Sequence, residues 1–213
     1  MLVLLPPSET KSDGGDGAPL DLGELSMPQL TVTREALVQA LVDLAADHEA
    51  STVALGLGPT QADEIERNAK LWVSPTRPAL ARYTGVLFDA LDAAGFTRAQ
   101  RAKAYRRLAI GSALFGAVRA GDPVPAYRLS GGSKLPGFGT LASLWRPELS
   151  DALSAEAAGG ARRGPALGGC TSSSDLSPVR SRQPCSPSSR TAAARWSATS
   201  TSTTRACWHV RSC

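Results

Sequence analysis

Residues 6–11 read PPSETK, and three of those six side chains can do chemistry. Ser8 offers a hydroxyl that can donate to an oxyanion, and Lys11 an ammonium suited to a phosphate as a point charge. Glu9 supplies a carboxylate that can orient Lys11 or act as a base. They follow the apolar run LVLL at 2–5, which places them where a strand hands over to a loop, the edge at which open α/β sheets gather ligands. A turn capped by Ser8 and Glu9, with Lys11 in solvent, is the plainer account. The stretch is not a P-loop, because the pattern GxxxxGK(S/T) is missing.

Three further groups of residues could do chemistry. Tyr127 and Arg128 precede Gly131-Gly132-Ser133 and Lys134, an arginine, a glycine turn and a lysine that would suit an anion-binding edge; a plain hairpin turn is the alternative. Arg82, Tyr83 and Gly85 form another motif, in which Tyr83 reads most simply as a core ring with its hydroxyl paired. Gly85, inside a helical pattern, either permits a close backbone approach or marks a break. Arg98, Arg101, Arg106 and Arg107 load one segment with cations: a solvated face, or a helix that contacts phosphates. His48 and His209 are the only two histidines, so nucleophile–histidine–acid catalysis has no good candidate. No catalytic residue is assigned, no metal cluster is visible, and no cofactor is expected.

The elements that must position these groups alternate between the two types. LVLL reads as a strand buried on both faces, stopped by Pro6 and Pro7. Residues 33–50 predict an amphipathic helix capped by Thr33, with Leu37, Leu41, Leu44 and Ala45 on one face. Thr60 caps a shorter helix with Ala62, Ile65, Ala69 and Leu71 on its apolar side, and 79–95 predicts another ended by Gly95. Thr97 and Gln100 have the spacing of a capping box for a basic helix. LAIGSALFGAV at 108–118 reads as a core strand and tight turn, AYRL at 126–129 as a further strand, and 140–153 as a helix interrupted at Pro147. The class is α/β (mixed α+β), one domain with a mixed sheet and surrounding helices, incomplete at its C-terminal end.

Bulk charge misleads. The chain of 213 residues has a formal charge of +4. Residues 1–158 nevertheless carry 15 Lys+Arg against 18 Asp+Glu, a net of −3, while 159–213 carry eight Arg and one acid, a net of +7. All four cysteines, Cys170, Cys185, Cys207 and Cys213, fall in that last quarter without metal-ligand spacing. No apolar run has the length of a membrane span, and MLVLL is too short for a signal peptide. A cytoplasmic protein without a membrane partner is the expectation. The oligomeric state is not legible. Beyond 158, Ser, Thr, Arg, Ala, Gly and Pro dominate without period, the composition of a disordered tail.

Four landmarks in order, LLPPSETK, RYTGVLFDAL, LAIGSALFGAVRAGDPVPAYRLSGGSKL and LASLWRPEL, resemble the YaaA family of bacterial peroxide-stress proteins, in the form of its actinobacterial branch. The resemblance covers residues 1 to about 153. SALFG at 112–116 departs from the commoner family pattern SGLYG, so a hydroxyl role at Phe115 is in doubt. Family members are longer and end in further strands and a basic helix. Taking the last base of each codon of RWSATSTSTTRACWHVRSC with the first two of the next permits VVSHFNKHYKGMLARALL, a family-like ending. Residues from about 159 on therefore read as the product of a frame disturbance, with a genuine disordered tail as the alternative. The resemblance implies an oxidative-stress protein that helps limit unincorporated iron and binds DNA through a helix-hairpin-helix-like element and a basic cleft. An enzyme acting on a phosphorylated or nucleotide-like small molecule through Ser8, Glu9, Lys11, Arg128 and Lys134 is the second reading; it requires those groups to converge. A truncated, non-functional family member is the third.

Overall fold

A computed structural model describes residues 1–158, so the expectations placed on 159–213 lie outside the described residues. Strand β1 (Val3–Leu5) pairs in parallel with β3 (Leu108–Ser112), and β3 pairs antiparallel with β4 (Gly116–Arg119), giving a sheet ordered β1-β3-β4. A second, antiparallel pair joins β2 (Arg77–Pro78) to β5 (Pro123–Val124). Around them lie α1 (Thr31–Leu44), α2 (His48–Leu55), α3 (Ala62–Ala69), α4 (Ala79–Arg82), α5 (Val86–Leu91), α6 (Arg98–Arg107) and α7 (Leu141–Ala158). The class is the mixed α/β arrangement that alternating patterns in the sequence imply.

The core sits where the apolar faces of α1 and α7 meet the sheet. Leu37, Val38 and Leu41 of α1, Ala109 and Ile110 of β3, and Ala117 and Val118 of β4 are fully buried, and Trp145 of α7 donates its Nε1 to the Ala113 carbonyl at 2.8 Å. One charge enters this core. Arg34 is fully buried and donates Nε to Phe115 O at 3.0 Å, Nη1 to Ser26 O at 2.9 Å and Nη2 to Ala117 O at 2.7 Å. Desolvation lowers its pKa to about 10, although the Asp122 carboxylate acts in the opposite direction.

Several expected boundaries move, each for a local reason. β1 is an edge strand rather than one buried on both faces: Val3 is 36% and Leu4 41% exposed. The helix expected over 33–50 is two. Asp47 accepts from Ala50 N–H at 3.0 Å and caps α2, while Ser51 Oγ takes the Leu44 carbonyl at 2.7 Å, so the polar side chains capture the chain between the two helices. Thr33 is not the cap of α1; it lies in the first turn and donates to Glu148. Thr60 does not cap α3 either, since Gln61 holds that place. The segment 79–95 breaks at Tyr83–Gly85, where Tyr83 is extended and Gly85 has φ 108°, a region open mainly to glycine. AYRL is not a strand, because the Asn68 side chain, not a neighbouring strand, pairs with the Arg128 backbone. α7 runs through Pro147 without ending, with Trp145 and Leu149 buried on either side of it. The capping box is present as expected: Thr97 and Gln100 each satisfy the other's backbone N–H.

Candidate functional site

The break before Gly85 creates a docking place for the PPSETK loop. Ser12 N donates to Arg82 O at 2.8 Å and Thr84 N to Thr10 O at 3.2 Å, and Lys11 forms an antiparallel bridge with Tyr83. Ser8 and Thr10 both direct their hydroxyls to the Thr84 carbonyl. A Cβ added at Gly85 would lie 3.3 Å from each of those two hydroxyl oxygens, so glycine serves here both for its φ and for the close approach. The loop is thereby laid across the start of α5.

Lys11 leaves this loop to lie against two aromatic rings. Its Nζ stands 4.0 Å from the Tyr127 ring centroid and 5.5 Å from that of Tyr83. It donates to the carbonyls of Ser8 at 3.1 Å and Glu9 at 3.2 Å. Both rings are 2% exposed, their hydroxyls meet at 2.9 Å, and Tyr127 OH is 2.7 Å from Ser112 Oγ. Phe115 closes the far side, edge-on to Tyr127 at 5.5 Å; it fills the place with an apolar ring and leaves Ser112 as the hydroxyl partner. Burial pushes both phenols above their ordinary value, so they remain protonated.

Around the amine the charges are mixed. Arg128 Nη2 lies 3.4 Å from Glu9 Oε2, and its buried Nε has no partner among the described residues. Its backbone is clasped by Asn68, which accepts from Arg128 N at 2.8 Å and donates to Arg128 O at 2.9 Å. Next to Asn68 on α3, Arg67 bridges Glu64 and Asp13. Two aromatic faces favour an ammonium, but desolvation acts more strongly, and Arg128 and Arg67 push the same way against Glu64 and Glu9. Together they lower the Lys11 pKa to about 7. A positioned amine whose pKa burial has lowered this far, beside a guanidinium, can bind an anion, take a proton or attack an electrophile.

The remaining sequence candidates are dispersed. Arg82 is fully buried, with its guanidinium on the carbonyls of Val124, Ser12 and Pro75. Lys134 is exposed, its backbone N–H tied to Ala54 O at 3.0 Å, and no hydrogen bond or ion pair among the described residues joins it to the Lys11 group. On α6, Arg106 and Arg107 are exposed and Arg101 half-buried. Arg101 donates to Ala93 O at 3.3 Å and, with Arg77, Asp92, Tyr83 and Tyr105, lines a cleft of about 570 Å³. Three participants escaped the sequence reading: Asn68, Arg67 and Ser112. Asn68 had a signal, an amide on the same side of its helix as the apolar Ile65, where a partner is required.

The sequence pattern of the family described as Peroxide stress protein YaaA matches residues 1–167. The chain is 51% identical over 157 residues to a UPF0246 protein of Corynebacterium efficiens, covering 72% of this chain and 62% of that relative. It is 49% identical over 160 residues to a UPF0246 protein of Streptomyces coelicolor, covering 75% and 61%. A UPF0246 protein of Bacteroides thetaiotaomicron matches at 35% over 122 residues, 48% of each chain. The chain thus spans about three-fifths of the length of the Corynebacterium efficiens and Streptomyces coelicolor relatives. With the family pattern running through the PPSETK loop, the α4–α5 break and the Tyr127–Arg128 segment, the chain belongs to the peroxide stress protein YaaA family.

Proposed function

We propose that this peroxide-stress protein acts on a phosphate-bearing ligand held at Lys11 and Arg128. The observation that carries the reading is convergence. Glu9 and Lys11 come from the first loop, Tyr83 from the α4–α5 break, Arg128 and Tyr127 from the segment after β5, and Asn68 from α3. Four separated stretches spend their side chains on one half-buried amine and one incompletely satisfied guanidinium. A solvated turn would not need that. Arg128 presents the anion-binding fork, Lys11 the adjustable charge, and the hydroxyl–phenol chain of Ser112, Tyr127 and Tyr83 fixes the floor beneath them. The test is titration of the protein with inorganic phosphate, nucleoside monophosphates and sugar phosphates by NMR. Saturable shifts abolished in Arg128→Gln support the reading; an indifferent protein refutes it.

DNA binding is the second reading, and a separate observation favours it. α5, a tight turn at Asp92–Gly95 and the capped α6 make two short helices joined by a hairpin. α6 carries Arg98, Arg101, Lys103, Arg106 and Arg107 with no acid. Phosphate contacts from such a helix release counterions, so duplex affinity should fall steeply with salt. A flat response removes this reading. The family's link to limiting free iron is retained as part of the same proposal; spin-resonance measurement of free iron in cells with and without the gene under peroxide tests it.

A further inference from the structure

The placement of Lys11 goes beyond anion binding. A neutral primary amine has two hydrogens and one lone pair, and the Lys11 Nζ already directs hydrogens to two acceptors, Ser8 O and Glu9 O. Those two bonds use up the hydrogens of the neutral form and leave the lone pair free. The nitrogen itself lies over the Tyr127 and Tyr83 rings, so with its two carbonyl partners it is oriented before any ligand arrives. Arg128, with its buried Nε unpartnered among the described residues, stands beside it as a seat for an anion.

We propose that Lys11 is an imine-forming nucleophile for aldehydes that carry a phosphate ester, with Arg128 holding the phosphate. This deepens the small-molecule reading above and rests on it. The lone pair of Nζ adds to the carbonyl carbon, and the carbonyl π pair moves to oxygen. That oxygen then departs as water with both hydrogens of the amine, leaving a carbon–nitrogen double bond. No oxidant or reductant is consumed. The titration state fits: with its pKa near 7, Lys11 has on the order of a thousandfold more neutral amine at pH 7 than a solvated lysine. Burial lowers that pKa most; of the charged groups facing Lys11, Arg128 and Arg67 lower it further and Glu64 and Glu9 oppose them. The same chemistry has two sources, a free sugar phosphate in its open form and the ring-opened sugar of an abasic site in DNA. The loop bearing Lys11 lies across the start of α5, which leads directly into the basic α6, so both sources are tested.

The full chain is incubated at pH 7 with sodium cyanoborohydride and, in separate arms, deoxyribose 5-phosphate, a duplex with one abasic site, and propanal. Intact mass and peptide mapping follow. The chain has four lysines, Lys11, Lys70, Lys103 and Lys134, so the modified position is read directly. The expected result is a reduced adduct on Lys11 from a phosphate-bearing aldehyde, lost about tenfold or more in Lys11→Arg, which keeps the charge but not the nucleophile. Arg128→Gln should lower the phosphate-bearing adduct by a larger factor than the propanal adduct, which falls only as far as the Lys11 pKa rises once the neighbouring guanidinium is gone; a misfolded variant would lose both alike. The arm with the higher yield identifies the source. Labelling spread over all four lysines and indifferent to Lys11→Arg overturns the inference, as does no labelling. If deoxyribose 5-phosphate still binds through Arg128 without forming an adduct, the inference falls and the anion-site reading stands; if it neither binds nor labels, both fall.

Discussion

At the residue scale, Lys11 is a charge the fold would be more stable without. Its folded pKa of about 7 lies below the ordinary 10.5, so between those values the unfolded chain binds the extra proton and stability rises with pH; below pH 7 the full burial penalty applies. Lys11→Met should therefore raise the melting temperature, by more at pH 6 than at pH 10, while abolishing ligand shifts. A structural lysine would give the reverse, and differential scanning calorimetry at the two pH values decides. Arg34 behaves differently. Two of its three carbonyl partners, Phe115 O and Ala117 O, are paired in buried surroundings, so Arg34→Leu should cost about 3 kcal/mol or more in urea unfolding. Of these two, the sequence exposed only Lys11. PPSETK announces a polar loop after an apolar run, whereas Arg34 looks like an ordinary surface residue of an amphipathic helix until the sheet beneath it is placed.

At the element scale, the site depends on an interruption. Tyr83 and Gly85 turn what reads as one helix over 79–95 into two, and the gap accepts the first loop. The glycine was legible as a break or a close approach, and it is both, but its partner loop lies some seventy residues away and periodicity carries no such pairing. The Asn68 clasp has the same character. Asn68→Ala removes two hydrogen bonds to Arg128 and should destabilise by about 2 kcal/mol while weakening phosphate binding; unchanged binding would show that Arg128 needs no positioning. On α6, Arg106→Glu with Arg107→Glu should leave the melting temperature within about 1 kcal/mol equivalent, since both are exposed, yet reduce duplex affinity and its salt slope. Local signals were strongest here: the Thr97–Gln100 box and the run of arginines are read directly from neighbours in sequence.

At the scale of the whole molecule, the described part carries a net charge of −3, so any attraction of that part to DNA arises from the distribution of charge along α6 and not from its sum. The class, the order of landmarks and the family were legible because apolar runs alternate in type and four motifs occur in order. The strand partners were not, since β1 and β3 are a hundred residues apart and their parallel pairing is fixed by the packing of everything between them. β1 meets β3 on one side, and the exposed Val3 and Leu4 accompany an outer edge with no strand partner among the described residues. Such edges associate. Leu4→Lys should reduce concentration-dependent light scattering with little change in melting temperature.

The most direct measurement follows from the small number of lysines. Carbon-detected NMR of protein labelled at lysine Cε yields four resonances, and Lys11→Met assigns the one that matters. A site built around a desolvated amine predicts that this resonance titrates near pH 7 and moves on adding phosphate. A Lys11 resonance that titrates near 10.5 and ignores phosphate would place the amine in solvent and contradict the functional reading.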